Sequence, residues 1–156
     1  MNDAGHVKTR ILAAGRAELA KRGLAGASVR AIGKRAGVTA AMINYYFGGK
    51  RGLYDAVVAE AQGRLGERVA AALAGGRGTL AARLAAAYFD FLAEDTELQR
   101  LLLREVLDRG PSARRLGARW VAPLRALFER HFGADDETIE LAISLFGAIG
   151  GYFVYE

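Results

Sequence analysis

The chain has 156 residues, 52% hydrophobic and 25% charged, a balance that folds and excludes a disordered segment. It has no cysteine, which excludes disulfides, thiolate zinc sites and a cysteine nucleophile, and fits a reducing compartment such as the cytoplasm. The net charge of +5 is uneven: residues 1–60 hold ten Lys/Arg against four Asp/Glu, and residues 61–156 hold twelve against thirteen, the footprint of a polyanion-binding head at one end.

A first helix is expected from about Val7 to Arg22, with Val7, Ile11, Leu12, Gly15 and Leu19 on one face. Gly23 ends it, and residues 24–27 read as a loop. Ser28 is a good N-cap for the next helix, because its hydroxyl accepts from a free backbone N–H. Val29, Ile32 and Ala36 recur there at helical spacing. Gly33 lies on the inner face, where a side chain would block a close helix crossing. Gly37 falls where the chain must reverse, and only glycine reaches left-handed angles without steric cost.

Val38 fills the gap between the two helices, and Thr39 caps the second. That helix turns Met42, Ile43 and Phe47 inward and Ala40, Ala41, Asn44 and Tyr45 outward. Two short helices across a tight glycine turn make a helix-turn-helix, here over about residues 28–47. Such a pair either lays its second helix into DNA's major groove or merely packs as a hairpin. The confinement of the positive charge to this end favours DNA.

After Gly48–Gly49 a long helix runs from Lys50 to about Leu73, its inner stripe Leu53, Val57, Ala61, Leu65 and Val69. The run Gly75 to Gly78 is the clearest punctuation and the candidate hinge. Helices follow over Leu80 to Ala93 and Leu98 to Leu107. Another runs from a Ser112 cap to about Phe132, kinked at Pro123. Asp135, Asp136 and Glu137 then open a last helix, where the dipole favours negative charge. Its apolar run, Leu141 to Tyr155, is broken by Ser144 and three glycines and is shorter than the roughly 20 residues of a membrane helix. The fold class expected is therefore all-α, with no strand.

The segment from Thr9 to about Leu65 resembles the N-terminal domain of the TetR family of bacterial transcriptional repressors. The matching residues are Arg10-Ile11-Leu12, Arg22-Gly23, Ser28-Val29-Arg30-Ala31-Ile32, Ala36-Gly37-Val38-Thr39, Tyr45-Tyr46-Phe47, and Lys50 with Leu53 and Tyr54. The resemblance implies a helix-turn-helix DNA-binding domain over 1–49 and a helical ligand-binding and dimerisation domain over 50–156. It implies a homodimer on a palindromic operator, released by a small molecule, with no cofactor.

By the same resemblance Ser28 would contact a phosphate and Arg30 a phosphate or a base edge, as helix N-termini and arginine both allow. Thr39, Ala40 and Ala41 would lie nearest the bases, Asn44 and Tyr45 one turn later, and Tyr46 and Lys50 at the DNA backbone. The family often has tyrosine where Asn44 stands and a longer polar residue at Ala40. The two alanines limit readout there to methyl contacts with thymine, while Asn44 is suited to adenine. Tyr46 has a second reading as a packing residue, and Lys50 as a merely exposed side chain.

In the body, Tyr88, Phe89, Leu92, Leu103, Leu107, Trp120, Leu124 and Phe128 are candidates to line a pocket for an apolar or aromatic ligand. The last helix, with Ile139, Ile143, Phe146, Gly147, Gly150 and Phe153, is too apolar for one-sided exposure and is expected against a partner chain, with burial inside its own chain as the alternative. The family's dimer bundles usually use two C-terminal helices per chain. Here the sequence stops about one helix short, which leaves a fragment or an unusual dimer.

An enzyme is not expected. His6 precedes the first helix and His131 ends another, neither with a nucleophile or orienting partner nearby in sequence. Asp135, Asp136 and Glu137 face different sides of a helix and make no metal site. The rival from another class is a structural or non-specific DNA-binding protein without an inducer.

Overall fold

The computed structural model describes residues 3–107, together with positions 122, 125, 126, 129, 130, 140, 144 and 147. Among the described residues there are helices and no strand. They run α1 (Asp3–Gly26), α2 (Val29–Ala36), α3 (Ala40–Phe47), α4 (Lys50–Ala74), α5 (Leu80–Ala93) and α6 (Thr96–Leu107). The expected helices beyond Leu107 lie outside the described stretch. So do Trp120, Leu124, Phe128 and, of the dimer candidates, Ile139, Ile143, Phe146, Gly150 and Phe153.

α1 is the spine, packed against α2, α4 and α6. It begins earlier than its apolar pattern does, taking in His6, and it kinks at Gly23, whose φ of 66° no helix accommodates. Residues 24–26, read as loop, form a further helical turn beyond the kink, held by the Ala27 N–H on the Gly23 carbonyl at 3.0 Å. The sequence signal of glycine as a stop was right for the straight segment only. A kinked helix and a loop share that signal, and packing chose between them.

Two apolar clusters hold the helices. The first joins Ile11, Leu19, Ile32, Ile43, Leu53 and Val58, all fully buried, from α1 to α4. Each such side chain contributes about 1.5–3 kcal/mol of burial free energy. The second joins Leu65 and Val69 of α4, Leu84, Phe91 and Leu92 of α5, and Leu98 of α6. α4 thus belongs to both clusters, its early turns in the first and its later turns in the second. Leu101 of α6 reaches back into the first cluster.

Glycine run 75–78 forms the turn of an α4–α5 hairpin. Gly75, Gly76 and Gly78 all have positive φ, and Arg83 pins the turn by donating to the Ala72 and Gly78 carbonyls at 2.9 and 2.8 Å. α6 starts two residues before the expected Leu98, because the Asp95 carboxylate caps it by accepting from the Leu98 N–H at 2.9 Å.

Candidate nucleic-acid interface

The α2–α3 unit is built by local chemistry. Ser28 Oγ accepts from the Ala31 N–H at 3.4 Å and opens α2. At its far end Gly37 is left-handed, with φ of 66°, and the N–H groups of Gly37 and Val38 close on the carbonyls of Lys34 and Gly33. This pair of bonds satisfies carbonyls that a helix end otherwise leaves free. Lys34 and Arg35 occupy the last turn, where cations suit the dipole. Thr39 Oγ1 then accepts from the Met42 N–H at 3.3 Å and starts α3.

The crossing of α2 and α3 is as close as the sequence requires. A Cβ on Gly33 would stand 2.7 Å from the Val38 carbonyl oxygen. Farther on, a Cβ on Gly52 would sit 1.7 Å from the Phe47 carbonyl oxygen, so α4 likewise needs glycine where it leaves α3. The result is a short helix clamped from behind, with Ile43 fully buried and Met42 and Phe47 packed on the core.

The outward face of α3 holds Ala41, Asn44 and Tyr45, all exposed, with Ala40 half-buried at its start. Tyr45 is 82% exposed, an unusual setting for an aromatic ring, and Tyr46 meets it edge to face at 5.2 Å between centroids. Tyr46 itself is half-buried and packs on the first cluster, so its ring is a packing residue. Ser28, Arg30 and Thr39 are exposed along the same α2–α3 unit.

Lys50 differs from expectation. Its side chain is half-buried, and its ammonium donates to the carbonyls of Ala25 and Ala27 at 3.0 and 3.1 Å. A cation not singled out from the sequence stands by α3 instead. Lys8, from the second turn of α1, is exposed with its Nζ 5.9 Å from the Phe47 ring. Its one signal was a lysine flanking the apolar stripe of Val7 and Ile11, which gives no hint of which helix end it meets.

The body candidates divide. Leu92 is buried in the second cluster, Tyr88 lies half-buried at its edge, and Phe89 is 42% exposed. Burial raises the pKa of the Tyr88 hydroxyl. Leu103 and Leu107 lie on α6, and their side chains fall outside the described residues, as does the surrounding of the later candidates. Gly147 is helical and exposed, with open space where its Cβ would be. A groove of about 380 Å³ opens elsewhere, between α1 and α4, lined by Thr9, Leu12, Ala13, Arg16, Val57, Glu60 and Arg64.

Beside that groove an ionic junction ties α1 and α4 to the start of α6. The Asp95 carboxylate accepts from Arg16 of α1 at 2.7 Å and Arg64 of α4 at 2.8 Å. Burial works to raise its pKa, but the Arg64 hydrogen bond, the Leu98 N–H and the two guanidinium charges prevail and hold it below the usual carboxylate range. Arg68 pairs with Glu94 nearby. Asp95 and Arg16 lie 79 positions apart, so sequence reading had no means to join them. Among the described residues no group of His, Asp or Glu is placed to hold a metal, and no helix is long and apolar enough to cross a membrane.

Comparison with known proteins agrees with this geometry. Residues 11–57 match the model of the bacterial regulatory proteins of the tetR family. The HTH-type transcriptional regulator BetI 1 of Chromohalobacter salexigens is 48% identical over 48 residues, a match that spans 31% of this chain and only 24% of that relative. Among solved structures, a TetR-like transcriptional regulator from Rhodococcus sp. RHA1 superposes with a TM-score of 0.70 over 99% of this chain and 85% of its own, at 22% identity. The multidrug binding protein EbrR, solved with imidazole, superposes with a TM-score of 0.67 over 91% of this chain and 81% of its own, at 27% identity. The family model thus places a tetR-family regulatory domain at residues 11–57, and along most of its length the chain shares the fold of TetR-like regulators.

Proposed function

We propose that the protein is a transcriptional repressor that binds a palindromic operator as a homodimer and is released by a small apolar or aromatic molecule. Residues 1–49 serve as the DNA-binding head and residues 50–156 as the regulatory and dimerising body, in the cytoplasm. The observation that carries the reading is the outward face of α3. Asn44 and Tyr45 stand in solvent while Ile43 anchors the helix, the arrangement a recognition helix needs to enter the major groove.

In this reading Ser28 and the first amides of α2 meet a phosphate, Arg30 a phosphate or guanine, and Thr39, Ala40 and Ala41 the base edges. Asn44 reads adenine, and Tyr45 places its exposed hydroxyl on the strand. The two alanines offer only methyl contacts, so backbone anchoring outweighs base readout. Ligand release has support from EbrR, which its structure describes as a multidrug binding protein. A ligand favouring a heads-apart arrangement lowers operator affinity by linkage.

Selection of bound duplexes from a randomised pool, followed by gel-shift titration, tests the reading. A palindrome preferred by roughly 10³-fold or more over random DNA is the expected result. Uniform affinity with a steep salt dependence is the signature of the non-specific binder and overturns it.

A further inference from the structure

Lys50 opens α4 immediately after the Gly48–Gly49 turn that ends α3, yet its ammonium reaches back across the head. Two of its three N–H groups are spent on the carbonyls of Ala25 and Ala27, residues at the end of α1 and directly before the Ser28 cap of α2. Carbonyls at a helix end lack intrahelical donors and carry partial negative charge. α1 has no basic residue of its own in its last turn. The cation that complements it is supplied from α4.

The contact joins the two ends of the DNA-reading unit, the start of α2 and the exit of α3. Ala27 is buried, and Ser28 follows with an extended backbone, φ −112° and ψ 123°, before the helix begins. Holding the Ala27 carbonyl fixes the peptide plane that leads into Ser28, and with it the direction of the first α2 amides. An ammonium suits this role because its three donors radiate around one atom and can meet two carbonyls at once.

We propose that Lys50 is a positioning residue for DNA binding, a clamp that sets the N-terminus of α2, and is not itself a phosphate ligand. The proposal rests on the reading of α2–α3 as a DNA-binding unit. It predicts that Lys50 acts through Ser28, and that its loss leaves the count of protein–phosphate contacts made by side-chain cations unchanged.

The test uses the full chain and the duplex recovered from the randomised pool. Lys50→Met keeps the stem and removes the donors; Lys50→Gln keeps one donor arm. Binding is measured across salt concentrations for both variants, for Ser28→Ala, and for each double variant, with helicity followed by circular dichroism. Expected are about tenfold weaker binding for Lys50→Met, a smaller loss for Lys50→Gln, and an unchanged slope of log affinity against log salt. Ser28→Ala should cost little more once Lys50 is gone, because the two act as one unit.

A slope shallower by about 0.9, with losses that add to those of Ser28→Ala, makes Lys50 a direct phosphate ligand and overturns the clamp. Reduced thermal stability with unchanged affinity makes it merely structural, and overturns it too. Should Lys50→Met fail to fold, Lys50→Gln with the same cycle decides by the same criteria. Wild-type protein that captures no duplex at all overturns the DNA-binding reading along with the clamp, a result distinct from the other two.

Discussion

Adding one methyl group at Gly33 should separate two effects that usually travel together. In a helix interior alanine is favoured over glycine by about 0.5–1 kcal/mol, because glycine loses more backbone freedom on folding. At Gly33 the new Cβ would stand 2.7 Å from the Val38 carbonyl oxygen and 3.6 Å from the Ala40 nitrogen. To reach the roughly 3.3 Å of a close C···O contact, the turn must retreat by roughly 0.6 Å. Overpacking of this kind costs about 1–3 kcal/mol, so Gly33→Ala is expected to destabilise the protein by about 1 kcal/mol net.

Gly63 supplies the control. It is exposed in the interior of α4, and a Cβ there meets nothing within 4 Å. Gly63→Ala should therefore stabilise by about 0.5–1 kcal/mol. Urea unfolding of both variants at one matched protein concentration gives the comparison. Operator affinity gives the second readout. The retreat displaces Thr39 and Ala40 at the head of α3, so Gly33→Ala should bind about tenfold more weakly while Gly63→Ala binds as wild type. Equal stability gains at both sites, with wild-type affinity for Gly33→Ala, would refute the close-crossing argument.

Three further outcomes are expected. Gly52→Ala, whose Cβ would fall 1.7 Å from the Phe47 carbonyl, should cost about 3 kcal/mol or more, seen as a large fall in the urea midpoint. Asp95→Asn should cost about 1–2 kcal/mol, discounted because Arg16 and Arg64 are partly exposed. Since the folded pKa of Asp95 lies below its unfolded value, its contribution is complete above the unfolded pKa and lost as pH falls through the folded one. The wild-type advantage over Asp95→Asn should thus shrink below about pH 4; an advantage that grows there would contradict the assignment. Tyr45→Ala should remove most operator affinity in a gel shift with helicity and urea midpoint unchanged, since a side chain 82% exposed has little packing to lose.

The sequence by itself determined α2, its turn and α3. Ser28, Gly37 and Thr39 act within three residues of themselves, through caps and a left-handed angle, so their positions alone placed α2, its turn and α3. The same locality exposed the inner stripe of α4 and the outward face with Asn44 and Tyr45, because burial on a helix follows a period that residue type reveals. Tertiary structure decided what depends on distant partners. Residues 24–26 became a helical turn because the kinked end of α1 packs on its neighbours. Lys50 turned inward because two free carbonyls 23 and 25 positions away face its ammonium. Asp95 became an ionic node because α1, α4 and α6 converge on it. Charge on a helix marks a face, but which charge or carbonyl that face meets is fixed only when the helices pack.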